Sequence, residues 1–163
     1  MKIVFDSSTL ILVAKITLIR TIANKFNCVI TEEVKKESMK KEELTDAKLI
    51  LQIIKDKKIQ VVKIISKNEI EYEFRLGPGE SSVLKLATDR NLVVATDDKS
   101  TIKACKIFNI KFATAIDFVI RAFEKNEISK EEAIVKINKL NEYGRYDTKI
   151  IDAALKIVGD KDE

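Results

Sequence analysis

The stretch Lys2-Ile3-Val4-Phe5-Asp6-Ser7-Ser8 decides the fold, because an apolar run ends abruptly there in a carboxylate followed by two hydroxyls. A short apolar run of this kind predicts a buried first strand with Asp6 at its carboxyl end. In open α/β sheets, ligands bind outside the carboxyl ends of the strands, at the point where the strand order reverses. Carboxylates that follow other parallel strands would reach the same edge.

Strand and helix patterns alternate along the rest of the chain. Further strands are predicted at Cys28–Ile30, Ile59–Ile65, Leu92–Thr96 and Lys111–Ala113. Helical spacing predicts one broken or two short helices from Leu10 to Ile22. Further helices are predicted over Thr31–Glu37, over Glu42–Lys55, after Pro78 and over Ser100–Phe108. Two amphipathic helices, with a turn at Gly144 between them, close the chain. The alternation favours a parallel sheet covered on both faces. The predicted fold class is α/β, a three-layer α/β/α sandwich with a central parallel sheet.

Length and composition favour one globular domain. The chain has 163 residues with 4 Gly and 1 Pro, so no linker is visible. We expect residues 1–125 to form the α/β core and residues 126–163 a helical hairpin. The cysteines, Cys28 and Cys105, lack metal-site spacing and favour core positions. Asp6 interrupts the apolar N-terminus and no window reaches the length of a membrane span, which predicts a cytoplasmic protein without a membrane.

The absence of histidine limits the chemistry. The sequence contains 0 His, which excludes Ser-His-Asp and Cys-His nucleophilic machinery and histidine acid-base catalysis. The net charge of +4 is compatible with a polyanionic partner but does not require one. Carboxylates, hydroxyls, lysines or a bound hard metal must carry any reaction.

Five residues supply the carboxylates of interest. Asp6 and the Asp97-Asp98 pair follow apolar strands, and each could instead cap the helix that begins there. Glu80 stands on the apolar stripe of its helix, and a first-turn glutamate favoured by the helix dipole is the alternative. Glu37 lies three residues after Val34 and is ordinary when taken alone. Carboxylates that converge at one edge repel one another unless a cation neutralises them, and Mg²⁺ or Mn²⁺ prefers such oxygen ligands.

The order of these motifs resembles the PIN-domain family of metal-dependent ribonucleases over about the first two thirds of the chain. Phe5-Asp6-Ser7-Ser8 is similar to the family's first strand and acid, and Ile30 to Glu37 to its second acid. Gly77-Pro78-Gly79-Glu80 followed by Ser81 to Ala87 is similar to its third acid, and Thr96-Asp97-Asp98 to its Thr-x-Asp element.

The resemblance implies a single PIN-like domain over residues 1–163, similar to small stand-alone prokaryotic VapC-like proteins. It implies endonucleolytic cleavage of RNA with Mg²⁺ or Mn²⁺, with Asp6, Glu37, Glu80 and Asp98 as catalytic metal ligands. Asp97 is a weaker ligand candidate, and Ser7 and Thr96 would orient carboxylates. An antitoxin or another protein partner and a homodimer are further expectations, since both are common in the family. Lys99, Ser100 and Thr101 stand where many relatives carry a further acid, so fewer ligands or a single metal are compatible with the sequence.

Three hypotheses follow for function. The first is a metal-dependent endoribonuclease, a toxin in one version. The second is a catalytically weak PIN-like scaffold that binds RNA or protein. The third is an acidic-pocket phosphotransfer domain, which a stable phosphoryl adduct would reveal.

Overall fold

The computed structural model describes residues 1–65 and 74–160 and contains one five-stranded sheet in that part of the chain. All of its strand pairs are parallel and the strand order is β3-β2-β1-β4-β5. The strands are β1 (Lys2–Phe5), β2 (Asn27–Thr31), β3 (Ile59–Val62), β4 (Val93–Ala95) and β5 (Phe112–Ala113). The predicted α/β class with a central parallel sheet is confirmed.

Helices connect the strands. The described helices are α1 (Ser7–Lys15), α2 (Ile19–Lys25), α3 (Glu32–Ser38), α4 (Thr45–Lys55), α5 (Pro78–Arg90), α6 (Lys99–Ile107), α7 (Ala115–Glu124), α8 (Lys130–Tyr143) and α9 (Thr148–Gly159). The chain moves from β1 to β2 and β3 in one direction, and then returns through α5 to β4 on the other side of β1. Right-handed crossovers in opposite directions place their helices on opposite faces of a sheet, which gives three layers.

The central strand is buried on both faces. Ile3, Val4 and Phe5 of β1 are all 0% exposed, as expected for a parallel strand between helical layers. The register sets Phe5 beside Ala95 of β4, and Val4 beside Val29 of β2. The reversal of strand order therefore falls between β1 and β4, directly below Asp6.

Two predicted elements differ in extent. Helix α4 begins at Thr45 instead of Glu42, and Leu44 is its N-cap residue and 40% exposed. The buried residues of this helix are Ala47, Ile50 and Ile53. Strand β3 ends at Val62 instead of Ile65, since β2 ends at Thr31 and offers no further partner.

A helix that the sequence analysis did not predict follows β5. Helix α7 buries Ile116, Val119 and Phe123, whose spacings of three and four residues are helical. The chain divides into two compact units, Met1–Thr114 and the part from Ala115 onward, and α7 belongs to the second unit with α8 and α9. In this unit α7, α8 and α9 pack on one another. A single domain with a boundary at residue 125 stays a prediction.

The structure also bears on membrane spanning. No single helix in the described ranges is both long enough and apolar enough to cross a bilayer. Among the helices of the described residues, only α1 and α2 taken together, with a bend of 112° between them, reach that length and composition.

Candidate acidic site at the carboxyl edge of the sheet

Asp6 lies at the point where the strand order reverses. Its backbone N–H donates to the carbonyl of Ala95 at 3.0 Å, which continues the β1–β4 pairing beyond the strand. The residue is 2% exposed. A carboxylate is therefore held in the interior at the edge where α/β sheets bind ligands.

Three donors contact the Asp6 carboxylate. Oδ1 accepts from the backbone N–H of Thr9 at 2.7 Å and from Ser8 Oγ at 3.2 Å, so Asp6 is also the N-cap of α1. Oδ2 accepts from Thr96 Oγ1 at 2.5 Å. Burial nevertheless raises the pKa of Asp6 from 3.8 to about 6, against these hydrogen bonds and with a smaller contribution from the charge of Asp97. Burial therefore disfavours the ionised form of Asp6 more than its hydrogen-bond donors favour it.

Asp97 is joined to Asp6 through one residue. Thr9 donates its backbone N–H to Asp6 and its Oγ1–H to Asp97 Oδ2, the latter at 2.8 Å. Asp98 points to other donors, since its Oδ2 accepts from Thr101 N at 2.7 Å and from Thr101 Oγ1 at 2.9 Å. The structure thus brings the weaker sequence candidate, Asp97, next to Asp6, while Asp98 caps α6.

Glu37 reaches the same edge from α3. Its Oε2 accepts from Ser7 Oγ at 2.7 Å, and its Oε1 accepts from the backbone N–H of Gly79 at 3.2 Å. A Cβ on Gly79 would lie 2.8 Å from Oε1 of Glu37, which is closer than real Cβ contacts allow. Glycine at position 79 is therefore needed for the carboxylate to approach the start of α5.

A buried pair of hydroxyls supports this junction. Thr31 Oγ1 and Ser82 Oγ lie 2.7 Å apart, and Ser82 Oγ donates to the Gly79 carbonyl at 2.7 Å. Since the Ser82 hydrogen goes to Gly79, the Thr31 hydroxyl donates to Ser82 and accepts from Val34 N at 3.2 Å. The pair fixes the first turn of α5 against the first turn of α3.

The remaining acids are less closely tied to Asp6. The Glu80 carboxylate folds back over Gly77, where its Oε2 would lie 2.6 Å from a Cβ at position 77. Glu33 stands one turn before Glu37 on α3, and its Oε2 is buried without a hydrogen-bond partner in the described part of the chain. A buried carboxylate oxygen without a donor favours a cation or a proton nearby.

These acids fit a hard divalent cation by their chemistry. All candidate donors are carboxylate oxygens, the charge of Asp97 contributes to the raised pKa of Asp6, and Glu33 has a buried oxygen without a hydrogen-bond partner among the described residues. Among residues 1–65 and 74–160, however, no three Asp, Glu or Cys side chains lie close enough to surround one ion. The metal-free chain holds a pair of carboxylates with the other acids around it.

Sequence reasoning used Thr31 only as a helix cap and assigned no role at this site to Thr9, Ser82, Gly79 or Glu33. Glu33 could have been noticed because it stands four residues before Glu37 and so shares its face of α3. Thr9 carries no such local signal, because its second partner lies 88 residues away.

Comparisons with known proteins identify one family model and two solved structures that are similar to this chain. The family model DUF3368, a PIN domain, matches residues 2–160. A PilT N-terminus domain protein from the hyperthermophilic archaeon Sulfolobus solfataricus P2 has a similar structure, with a TM-score of 0.57, 16% identity, and coverage of 76% of this chain and 95% of that one. A domain of a functionally unknown protein from Methanocaldococcus jannaschii DSM 2661 matches with a TM-score of 0.44, 20% identity, and coverage of 69% and 89% respectively. No curated protein sequence matches the chain.

Proposed function

The chain belongs to the DUF3368 family of PIN domains, and from this membership and the acidic edge of its sheet we propose that it is a Mg²⁺- or Mn²⁺-dependent endoribonuclease. PIN domains are generally nucleases that use divalent metals. We further propose that the substrate is RNA and that the reaction is hydrolysis of an internal phosphodiester bond. The residues proposed to carry out this reaction are described below.

The observation that carries the proposal is the Asp6 carboxylate. It is 2% exposed, it shares Thr9 with a second carboxylate, and its pKa is raised to about 6 by burial. A buried acid beside another acid destabilises a protein, and such arrangements are concentrated at functional sites. A cation bound there would remove the repulsion and account for the arrangement.

Asp6 and Asp97 are the pair that would hold the ion, with Glu37, Glu80 and Asp98 contributing directly or through water. A bound divalent cation lowers the pKa of a coordinated water and stabilises the leaving oxygen of a phosphodiester. The hydroxyl of Ser7 orients Glu37, as its 2.7 Å hydrogen bond to Oε2 indicates.

Two threonines fix Asp6 itself. Thr9 donates to Oδ1, which also accepts from Ser8 Oγ, and Thr96 donates to Oδ2. This leaves a lone pair of Oδ2 for a ligand at the edge of the sheet.

The test is cleavage of a panel of structured RNAs with Mn²⁺, Mg²⁺ or EDTA. Wild-type protein should give metal-dependent products, and Asp6→Asn should reduce their rate by at least about 100-fold if the carboxylate holds the ion. Asp89→Asn is the matched control, because Asp89 is an exposed acid on α5 that pairs with Lys85. Products that persist in EDTA, or equal rates for the two variants, would contradict the proposal.

A catalytically weak PIN-like scaffold is the second candidate. It is favoured by the lack of three converging acids in the described ranges. Such a protein would bind RNA equally well in EDTA and in Mn²⁺ and would release no products. Binding and cleavage measured on the same RNA separate the two functions.

A further inference from the structure

A cavity of about 750 Å³ opens at the amino end of the sheet, at the opposite end of β1 from Asp6. Its lining includes residues from the starts of three neighbouring strands, Lys2 of β1, Asn27 of β2 and Ile59 of β3, and from the ends of α2 and α4. Lys2 and Asp6 are separated by the length of β1, about 13 Å at 3.3 Å per residue. The cavity is therefore distinct from the acidic site.

The lining of this cavity is cationic. Lys2, Lys57 and Lys58 contribute to it, and no Asp or Glu of residues 1–65 and 74–160 does. The neighbouring acid, Asp56, is engaged elsewhere, because it accepts from Gln52 Nε2 at 2.8 Å and pairs with Arg20 at 3.5 Å. Among the described residues no carboxylate neutralises the three ammonium groups, so the cavity attracts anions.

The backbone at Lys57 adopts a conformation that suits asparagine better than lysine. Lys57 follows α4 in the left-handed conformation with φ of 57°, and the N–H groups of Lys57 and Lys58 close the helix end on Ile54 and Ile53. At this conformation a residue other than Gly, Asn or Asp costs about 1 kcal/mol. Three other described helices use asparagine there, namely Asn91, Asn109 and Asn126, and α1 uses Thr17. Lys57→Asn is therefore a substitution that the backbone accepts.

The rest of the lining suits the base and sugar of a nucleotide. Phe26, Ile54 and Val61 give apolar surface, and Asn27 and Gln60 give amide donors and acceptors. Volumes of about 300–1,000 Å³ with mixed apolar and polar lining are typical of small-ligand sites. Lysines beside an apolar wall match a phosphate attached to an aromatic base.

We propose that this cavity binds one nucleotide through its phosphate, with Lys2, Lys57 and Lys58 on the phosphate oxygens and Phe26 against the base. The same chemistry is offered by a free nucleotide and by a nucleotide within an RNA strand. Neither source requires metal or cleavage, so the site can be tested independently of the acidic edge.

The experiment is titration calorimetry in EDTA at low salt, with AMP, adenosine, inorganic phosphate and a short 5′-phosphorylated oligoribonucleotide as separate probes. EDTA prevents nucleotide binding through a metal at the acidic edge. The test variant is Lys57→Asn with Lys58→Gln, and the charge-matched control is Lys48→Gln with Lys55→Gln, since both lysines are exposed on α4 and lie outside the cavity. Lys57→Asn keeps the conformation that asparagine adopts at the other helix ends, so the test variant should retain its melting temperature.

We expect AMP to bind the wild type and the control alike, and to bind the test variant at least about tenfold more weakly, because two charged hydrogen-bond donors are lost. Equal affinities for AMP and the oligoribonucleotide would identify a free nucleotide as the ligand, and tighter binding of the oligoribonucleotide would identify an RNA strand. Equal weakening in both double variants would overturn the proposal. It would also be overturned by phosphate or adenosine binding as tightly as AMP, or by no binding of any probe to the wild type.

Discussion

At the scale of single residues, Asp6 shows what a local sequence pattern can and cannot predict. An apolar run that ends in a carboxylate was enough to place this residue at the carboxyl edge of the sheet, because burial and strand direction are local properties. Its neighbours could not be predicted, since the contact with Thr96 and the shared Thr9–Asp97 link depend on Phe5 lying beside Ala95. The register between β1 and β4 cannot be predicted from the sequence of either strand alone.

The raised pKa of Asp6 predicts how the metal-free protein responds to pH. The folded state keeps the Asp6 proton up to about pH 6, whereas an unperturbed carboxyl loses it near 3.8. Stability should therefore fall as pH rises from about 4 to 6. Asp6→Asn removes this cost and keeps a residue that caps helices well, so in EDTA the variant should be more stable than wild type at pH 7.5, by up to about 3 kcal/mol.

Thermal unfolding of both proteins at pH 4 and pH 7.5 measures this difference. The advantage of the variant should be small at pH 4 and should reach several degrees at pH 7.5. A variant that is less stable than wild type at both values would show that the hydrogen bonds of the carboxylate outweigh its charge.

At the scale of elements, the contact between α3 and α5 positions an acid that neither helix could hold alone. Glu37 is the last acid of α3, and it reaches the edge because Gly79 leaves room in the first turn of α5. The Thr31–Ser82 pair holds the two helix starts together below it. The sequence analysis identified Glu37 by resemblance, but the space over Gly79 became visible only in the structure.

Gly79→Ala should therefore lower RNA cleavage more than it lowers stability. The new methyl group would displace the Glu37 side chain, whose end can move, and would weaken its bond to the Gly79 N–H. We expect a loss in rate of about tenfold or more from the misplaced carboxylate, with a melting temperature within a few degrees of wild type. Gly159→Ala is the matched control, because nothing lies within 4 Å of a Cβ there. Equal rates for the two variants would remove Glu37 from the proposed site.

The same scale shows which elements a sequence can define. Strand β4 was predicted well because it lies in an apolar run, and helix α3 was predicted well because Thr31 caps its start. The C-terminal limit of β3 depends on where its neighbour β2 stops, and the start of α4 depends on a turn that satisfies Leu44 N through Lys41 O. Such limits are set by partners elsewhere in the chain. Helix α7, by contrast, has a helical spacing of apolar residues in its own sequence, although it was not predicted.

At the scale of the whole molecule, the sheet separates charge. Carboxylates gather where its strands end, and lysines line the cavity where three of them begin. The modest net charge of +4 hides this polarity, and so composition alone could not have predicted it.

Binding of a divalent cation should be visible without any substrate. In a thermal-shift assay at pH 7.5, millimolar Mn²⁺ should raise the melting temperature of wild-type protein, since a ligand present at about 100 times its dissociation constant stabilises by about 2.7 kcal/mol. The shift should disappear in a double Asp6→Asn, Asp97→Asn variant and persist in Asp89→Asn. An equal shift in all three proteins would place the Mn²⁺ elsewhere.

The pairing of β1 with β4 also has a consequence during synthesis. Thr96 donates a hydrogen bond to Asp6 from 90 residues further along the chain, so β1 emerges from the ribosome long before β4 has been synthesised. Until β4 has been translated and has left the ribosome, Asp6 lacks Thr96 and Asp97. If the proposed cleavage depends on this edge, a nascent chain cannot cleave the RNA around it until more than half of the polypeptide has been made.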